Sequence, residues 1–220
     1  MIKTENLCLR FSEGAALRYS DLSFAPDRSY AVLGPSGCGK STLLNLIAGI
    51  LTPSEGRVLV DGEAVSAWPQ RKKDAFRIRR VGYVYQDFKL IEDMTVADNI
   101  DILRLENVDT SGKDALLERL GLLAMKKRRV RTLSGGEKQR VAIARALIKK
   151  PDIVLADEPT GNLNIETGRE VMRQLLENAA FGTLIAVTHD DRLAPMFDEV
   201  LDMTAIARFE TAAGEEARHA

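Results

Sequence analysis

The 220-residue sequence predicts an α/β fold with a mainly parallel sheet, an N-terminal antiparallel β subdomain and a helical insert. Four short apolar runs, each followed by polar residues, lead to this prediction; they lie at 30–33, 81–85, 153–156 and 184–187. Near-continuous apolar runs separated by helical stretches are typical of parallel strands that are buried on both faces. Ligands bind such sheets beyond the carboxyl ends of the strands. We therefore expect the polar residues that follow the four runs to form one site.

The segments between and around these runs predict the remaining elements. The part up to Val65 predicts antiparallel hairpins, because an Asp-Gly-Glu turn at 61–63 interrupts strand-forming residues. Residues 87–132 contain no convincing strand and predict a helical insert, whereas residues 204–220 predict no element and read as a tail. We expect one domain over 1–220, with helices at 40–48, 70–80, 96–105, 112–120, 137–149 and 165–178.

The composition limits the classes of function. Lysine and arginine number 31 against 32 acidic residues, so the net charge of −1 gives no global reason to expect a nucleic-acid partner. The N-terminus lacks the apolar block of a signal peptide, and the longest nearly apolar run, 43–51, is about half as long as a membrane span. We expect a cytoplasmic protein in which Cys8 and Cys38 are free thiols.

Residues 34–41 read GPSGCGKS, between a predicted strand and a predicted helix, and fit the phosphate-loop pattern. Glycines allow backbone amides to close around phosphates, and the start of the helix adds its positive dipole end. Lys40 is expected to reach the terminal phosphates, and Ser41 to hold magnesium. The sequence thus predicts a P-loop NTPase core, whose nucleotide-binding candidates are Gly34, Pro35, Ser36, Gly37, Cys38, Gly39, Lys40, Ser41 and Thr42.

Two adjacent acids, Asp157 and Glu158, follow the apolar run at 153–156. An apolar strand that ends in two acids is a weak signal alone, because it can simply be a solvated strand end. After a phosphate loop the pair indicates nucleotide hydrolysis. Asp157 is then expected to hold magnesium through water, and Glu158 to orient or deprotonate the attacking water.

A second glycine-rich turn, LSGGE at 133–137, precedes the predicted helix at 137–149. Ser134 is a good N-cap, so the turn can be merely the start of a capped helix. An exposed helix N-terminus can also bind an anion, however. The phosphate loop at 34–41 already supplies such a site for ATP in this chain. We therefore expect another chain to complete the site, with Ser134, Gly135, Gly136 and Glu137 as candidates for contact with nucleotide.

The ordered series of GPSGCGKS, Gln86, LSGGE, LADE, GNLN and His189 resembles the ATP-binding-cassette (ABC) ATPases over nearly the whole chain. The resemblance implies an ATPase that uses ATP and Mg²⁺. It also implies two cassettes packed head to tail, with each ATP held between the phosphate loop of one and the LSGGE of the other. By the same resemblance Phe11 stacks on adenine, Gln86 contacts magnesium, and His189 contacts the terminal phosphate. Tyr19 is a less favoured candidate for the adenine contact.

Within this family, LSGGE, DEPTGNL and residues 85–100 resemble the branch of lipoprotein-release, macrolide-export, division-associated and antimicrobial-peptide or bacteriocin-export ATPases. The resemblance implies an export or mechanotransmission subunit that dimerises on ATP binding. A separate membrane permease would hold it at the cytoplasmic face of the plasma membrane. An importer ATPase, a soluble cassette of translation or DNA repair and an inactive regulatory cassette remain alternatives.

Three features leave further questions open. The basic runs at 70–80 and 126–131 are either solvated faces or contacts with anionic lipid or the permease. His219 falls in the predicted tail. Asn164 stands where relatives of this branch usually carry aspartate; it predicts an equally good N-cap but a weaker acceptor toward a partner cassette.

Overall fold

A parallel sheet forms the centre of the computed structural model, which describes residues 1–12, 14–179 and 182–210. Among these residues the sheet has five strands, which are β4 Ser29–Leu33, β7 Val81–Val84, β8 Ile153–Asp157, β9 Thr183–Thr188 and β10 Glu199–Asp202. They run in the order β10-β4-β9-β8-β7, and each neighbouring pair is parallel. The four apolar runs that the sequence singled out are strands of this sheet, as predicted, whereas the sequence did not reveal the edge strand β10.

A second, antiparallel sheet is built mostly from the N-terminal part, as predicted. Its strands are β1 Ile2–Arg10, β2 Ala16–Tyr19, β3 Leu22–Phe24, β5 Glu55–Val60, β6 Glu63–Ala64 and β11 Ala207–Glu210. Their order is β11-β2-β1-β5-β6, and β3 also pairs with β1. The predicted turn at 61–63 joins β5 to β6, and Asp61 has a left-handed φ of 52° there.

The helices agree closely with the sequence prediction. Those predicted at 70–80 and 165–178 have the predicted bounds, whereas the segment predicted at 96–105 is α-helical only to Asp101 and then tightens into a 3₁₀ turn. The helix predicted from 137 begins two residues earlier, because Ser134 caps it. The helices are α1 Lys40–Ile47, α2 Gln70–Arg80, α3 Val96–Asp101, α4 Lys113–Arg119, α5 Gly135–Leu147, α6 Ile165–Asn178 and the short α7 Met203–Ile206.

The parallel sheet separates two hydrophobic cores, because alternate residues of a strand point to opposite faces. Along β8, Val154 and Ala156 pack with the helical insert and α6, whereas Ile153 and Leu155 pack with α1 and the antiparallel sheet. Both faces of the strand are therefore buried, which accounts for its unbroken apolar sequence.

The C-terminal part of the described chain contains structure that the sequence did not indicate. Strand β10 lies beside β4, and β11 pairs with β2 over four residues. The prediction of an element-free tail from 204 is therefore wrong for 204–210, which contain most of α7 and all of β11, because pairing with β2 orders this segment. The rest of the predicted tail, with His219, lies outside the described residues. Cys8 and Cys38 are buried free thiols. Among the described residues, none of the helices combines the length and the apolar character that a bilayer span requires.

Candidate functional site

The phosphate loop connects β4 to α1 at the carboxyl edge of the parallel sheet. Gly37 and Gly39 have φ values of 81° and 97°, a left-handed conformation that glycine adopts without strain. A Cβ on Gly39 would lie 2.6 Å from Leu17 Cδ2, so the loop also packs closely against β2. Cys38 points into the core beneath the loop. Both glycines are therefore required by the shape of the loop.

Lys40, the first residue of α1, is the buried cation of the loop. Its side chain is 6% exposed, and its Nζ donates hydrogen bonds to the carbonyl oxygens of Gly34, at 2.7 Å, and Pro35, at 2.8 Å. The same nitrogen lies 3.4 Å from Glu158 Oε1. Among the described residues this buried ammonium contacts two carbonyl oxygens and one carboxylate, and a lysine cation can also bind anionic oxygens such as those of phosphates.

Ser41 Oγ donates a hydrogen bond of 2.8 Å to Asp157 Oδ1. The second residue of α1 thus meets the end of β8 at the edge of the sheet. Burial raises the pKa of the Asp157 carboxyl above its usual range, and the hydrogen bond from Ser41 opposes this rise. A hydroxyl and a carboxylate oxygen brought together are ligands of the type that Mg²⁺ prefers, so the pair fits that ion.

Glu158 continues from β8 with a left-handed φ of 44°, which is unusual for a residue with a side chain. Its Oε2 lies 3.0 Å from His189 Nδ1, and its side chain is only 11% exposed. His189 follows β9 and is more than half exposed. The structure thus brings the predicted general base together with Lys40 and the predicted histidine.

A cleft of about 420 Å³ runs along the phosphate loop. Its lining combines polar residues, such as Lys40, Ser41 and Glu158, with apolar ones. Phe11, 41% exposed, lies in this lining, whereas Tyr19 is buried and donates a hydrogen bond of 2.9 Å to the carbonyl oxygen of Gly39. Tyr19 therefore supports the loop from below. The lining consists of Phe11, Leu17, Ser36, Gly37, Gly39, Lys40, Ser41, Thr42, Gln86, Glu158 and Phe209.

Gln86 follows β7, is exposed and belongs to the lining of the cleft. Its carbonyl oxygen accepts a hydrogen bond of 3.0 Å from Asn162 Nδ2. Asn162 could not be identified from the sequence, because a polar residue in a loop carries no signal of a partner 76 positions away. This bond joins the turn after β7 to the turn after β8.

The LSGGE turn begins α5 and lies away from the lining of the phosphate cleft. Ser134 Oγ accepts a hydrogen bond from Glu137 N, and Glu137 Oε2 accepts one of 2.7 Å from Ser134 N. Ser134 and Gly135 are exposed, whereas a Cβ on Gly136 would lie 2.6 Å from Thr167 Cγ2 of α6. The turn is thus a rigid, capped helix start that is open to solvent.

Asn164 is the N-cap of α6, as predicted. Its Oδ1 accepts a hydrogen bond of 2.9 Å from Thr167 N, and the residue is exposed. The following residue, Ile165, is also half exposed. Asn164 therefore has a local structural role and an exposed position near the LSGGE turn.

A second groove, of about 310 Å³, lies between the parallel sheet and the helical insert. Two cations line it without a carboxylate partner among the contacts that the structure shows for them. Arg145 donates to the carbonyl oxygens of Phe88 and Lys89, and Lys149 Nζ donates to the carbonyl oxygen of Arg77 at 2.7 Å. Burial lowers the pKa of Lys149 to about 8. The apolar lining includes Ile50, Ile78, Val81, Tyr83, Tyr85, Ile102 and Leu103.

The two basic runs are largely paired within the chain. Arg80 donates hydrogen bonds of 2.6 Å to Asp61 and to Asp152, and Arg77 pairs with Asp74. In the second run, Arg131 lies 3.0 Å from Asp93. This pairing favours the interpretation of both runs as solvated, internally neutralised faces.

The comparisons with known proteins agree with this geometry. The family model described as "ABC transporter" matches residues 17–161. An ABC transporter ATP-binding protein of Mycobacterium tuberculosis is 40% identical over 215 residues, which cover 92% of this chain and 86% of the relative. The lipoprotein-releasing system ATP-binding protein LolD of Pseudomonas syringae pv. tomato is 40% identical over 213 residues, which cover 91% and 93%.

Solved structures show the same similarity. The dimeric, ADP- and phosphate-bound structure of the ATP-binding cassette MJ0796 superposes with a TM-score of 0.79 at 29% identity, and the match covers 99% of this chain and 97% of that one. The match extends over both sheets and the helical insert. The chain therefore belongs to the ABC transporter family and is an ATP-hydrolysing cassette with the P-loop NTPase fold.

Proposed function

We propose that the chain is the ATPase subunit of a bacterial export or mechanotransmission complex, and that it works as a head-to-tail homodimer with a separate membrane permease. The observation that carries the proposal is the position of the LSGGE turn, which is open to solvent while the phosphate cleft of the same chain lacks it. A second copy would supply the missing helix start. The dimeric cassette MJ0796 and the lipoprotein-releasing relative LolD support this assignment.

In the proposed site the phosphates lie against the loop, Lys40 and Thr42, and the adenine lies against Phe11. Ser41, Gln86 and Asp157 would hold Mg²⁺, which neutralises phosphate charge when bound. Glu158 orients a water and accepts its proton as the water oxygen bonds to the γ-phosphorus. The bond from that phosphorus to the β–γ bridging oxygen breaks, which gives ADP and phosphate. His189 positions the Glu158 carboxylate and contacts the terminal phosphate.

The permease is proposed to dock in the groove between the parallel sheet and the insert. Its apolar lining suits an amphipathic segment of a membrane subunit, and so do Arg145 and Lys149, for which the described residues show no carboxylate contact. The chain would then lie at the cytoplasmic face of the plasma membrane through this partner. The groove lies next to the turn that carries Gln86, so a docked partner would be close to the nucleotide cleft.

Glu158→Gln tests the enzymatic part of the proposal. Because loss of a general base costs about 10²- to 10⁴-fold, turnover of MgATP should fall by that factor while binding persists. The variant should accumulate as an ATP-bound dimer in light scattering. Glu118→Gln, in the exposed face of α4, is the matched control and should hydrolyse ATP normally. A chain that binds no MgATP, or a Glu158→Gln variant with wild-type turnover, would refute the proposal.

Association with a membrane protein tests the transport part. A permease that co-purifies with the chain and depends on groove residues for its binding would support an export or mechanotransmission role. Co-purification with ribosomes or DNA-repair proteins, in the absence of a membrane protein, would instead favour the soluble alternative. Uptake of a substrate by the reconstituted complex would identify an importer.

A further inference from the structure

Phe209 is an aromatic side chain of the C-terminal strand β11 that lies in the lining of the phosphate cleft. It stands opposite Leu17 in the pairing of β11 with β2, so the two side chains share one face of the sheet. Leu17 is fully buried and approaches Gly39 of the phosphate loop. Phe209 thus reaches the cleft from a segment in which the sequence alone indicated no element.

Residues of two chemical kinds line the cleft. Lys40, Ser41 and Glu158 supply charged and polar groups, of which the Lys40 ammonium suits phosphates. Phe11, Leu17 and Phe209 supply apolar groups, and both phenylalanines are at least partly exposed. In a nucleotide the base is the flat group with an apolar face, and such faces stack on aromatic side chains.

We propose that Phe209 is a second aromatic contact for the nucleobase, so that the N-terminal Phe11 and the C-terminal strand together hold the base. The inference rests on the proposed function, since it takes this cleft as the ATP site. Strand β11 is already fixed in place by its pairing with β2 and by an ion pair of 2.9 Å between Arg18 and Glu210. The aromatic ring therefore requires no large ordering of the chain on binding.

The competing explanation is purely structural: Phe209 packs against Leu17, and Leu17 supports the phosphate loop. The two explanations differ in which ligands they affect. A base contact strengthens the binding of ATP but not of inorganic tripolyphosphate, which has the phosphates and no base. A support for the loop affects both ligands, because both depend on the loop and on Lys40.

The experiment is isothermal titration of the full chain with ATP and with tripolyphosphate, each with Mg²⁺. Phe209→Ala should raise the Kd for ATP by about fivefold or more, the lower end of what loss of one base–aromatic contact costs. Its Kd for tripolyphosphate should stay within about twofold of wild type. Phe209→Tyr keeps the ring and should bind ATP normally.

Glu210→Ala is the matched control, because it changes the exposed neighbour of Phe209 and keeps the ring. An exposed ion pair contributes little, so the pairing of β11 with β2 should still hold the strand, and both Kd values should stay within about twofold of wild type. If Phe209→Ala does not fold, Phe209→Leu keeps an apolar side chain without the aromatic face, and the same ATP-to-tripolyphosphate comparison applies.

Two outcomes would overturn the inference. One is an equal loss of affinity for ATP and tripolyphosphate, which would show that Phe209 supports the loop. The other is an unchanged Kd for ATP in the alanine and leucine variants. A wild-type chain that binds neither ligand is a different result, since it would contradict the proposed function itself. The wild-type titrations therefore separate a failure of the proposed function from a failure of the inference.

Discussion

Glu158 occupies a backbone conformation that costs of order 1–3 kcal/mol for a residue with a side chain. Two backbone hydrogen bonds hold it there: its N–H donates to Val187 O at 3.0 Å, and its carbonyl oxygen accepts from Gly161 N at 3.1 Å. The left-handed turn directs the carboxylate toward Lys40 and His189. We infer that the surrounding contacts offset the strain in order to fix the proposed general base.

Asn164 has one observed role, as the cap of α6, and one proposed role, as a contact with a partner cassette. Asn164→Asp should change the free energy of unfolding by less than about 0.5 kcal/mol, because both residues cap well. It should tighten the ATP-bound dimer by about fivefold, because a charged acceptor bonds more strongly than a neutral one by about 1 kcal/mol. Denaturant unfolding and analytical ultracentrifugation measure the two effects.

Asn164→Ala is the control for the cap, and it should cost about 1 kcal/mol of stability. An aspartate variant with unchanged dimerisation and turnover would leave Asn164 as a cap alone. An alanine variant of unchanged stability would contradict the role of the hydrogen bond to Thr167.

The free energy of unfolding should depend on pH through Lys149. Burial lowers the pKa of this residue to about 8 in the folded chain, against 10.5 for the free side chain. Between these values the unfolded chain binds more protons than the folded chain, so stability rises with pH through this window. Between pH 7.5 and 10 the free energy of unfolding of the wild type should rise by on the order of 1–3 kcal/mol relative to that of Lys149→Met. Denaturant unfolding of both chains across this range measures the gain.

Lys149→Arg is the matched control for Lys149, because arginine keeps its charge throughout this range. The arginine variant should therefore show no relative gain over Lys149→Met. Parallel stability curves for wild type and Lys149→Met would contradict the expected titration. Arg77, Arg145 and Glu106 line the same groove and are unchanged in all three chains.

Two helices begin with the same capping box, and only one of them is proposed to face a partner. Thr95 and Asp98 cap α3 within the insert, whereas Ser134 and Glu137 cap α5 at the LSGGE turn. Ser134→Ala and Thr95→Ala should each lower the free energy of unfolding by about 1 kcal/mol. Only Ser134→Ala should also weaken ATP-driven dimerisation, because it alone removes a hydroxyl proposed to contact nucleotide.

Thermal unfolding and light scattering with MgATP distinguish the two effects of the cap variants. Equal dimerisation of both variants would show that the LSGGE turn serves only to start its helix. Loss of dimerisation in both would show that general destabilisation, and not a missing contact, is the cause.

For the whole molecule, the groove beside the insert should couple the ATPase to its permease. Ile50 is 44% exposed and lines the groove, whereas Leu105 is 81% exposed and lies outside the lining. Ile50→Asp should weaken permease binding by about tenfold or more, because a carboxylate would be desolvated at the interface. Basal ATPase activity should persist, since neither residue lines the nucleotide cleft.

Co-purification with the permease and ATPase assays of the free chain test this prediction. Leu105→Asp is the matched control and should bind the permease normally. Equal loss of binding in both variants would indicate a contact surface wider than the groove, and unchanged binding of Ile50→Asp would place the permease elsewhere.

Helices whose first residue is marked by a local signal were predicted from the sequence with the correct bounds. The helices at 70–80 and 165–178 have the predicted bounds because Pro69 and Asn164 mark their starts. Strands β10 and β11 escaped detection because each has only four residues that alternate between partly buried and exposed, without the continuous apolar run of a central strand. The 3₁₀ segment after α3 likewise has a helical pattern whose tightening is not visible in the sequence.

The sequence was sufficient for the strand–loop–helix order, the phosphate loop, the two acids and the family, because each depends on residue types at fixed local spacing. Contacts between distant segments required the folded chain. The bond of Asn162 to Gln86, the pairing of Glu158 with His189 and the place of Phe209 in the cleft are of this kind. They depend on which strands become neighbours, and packing of the whole chain decides that.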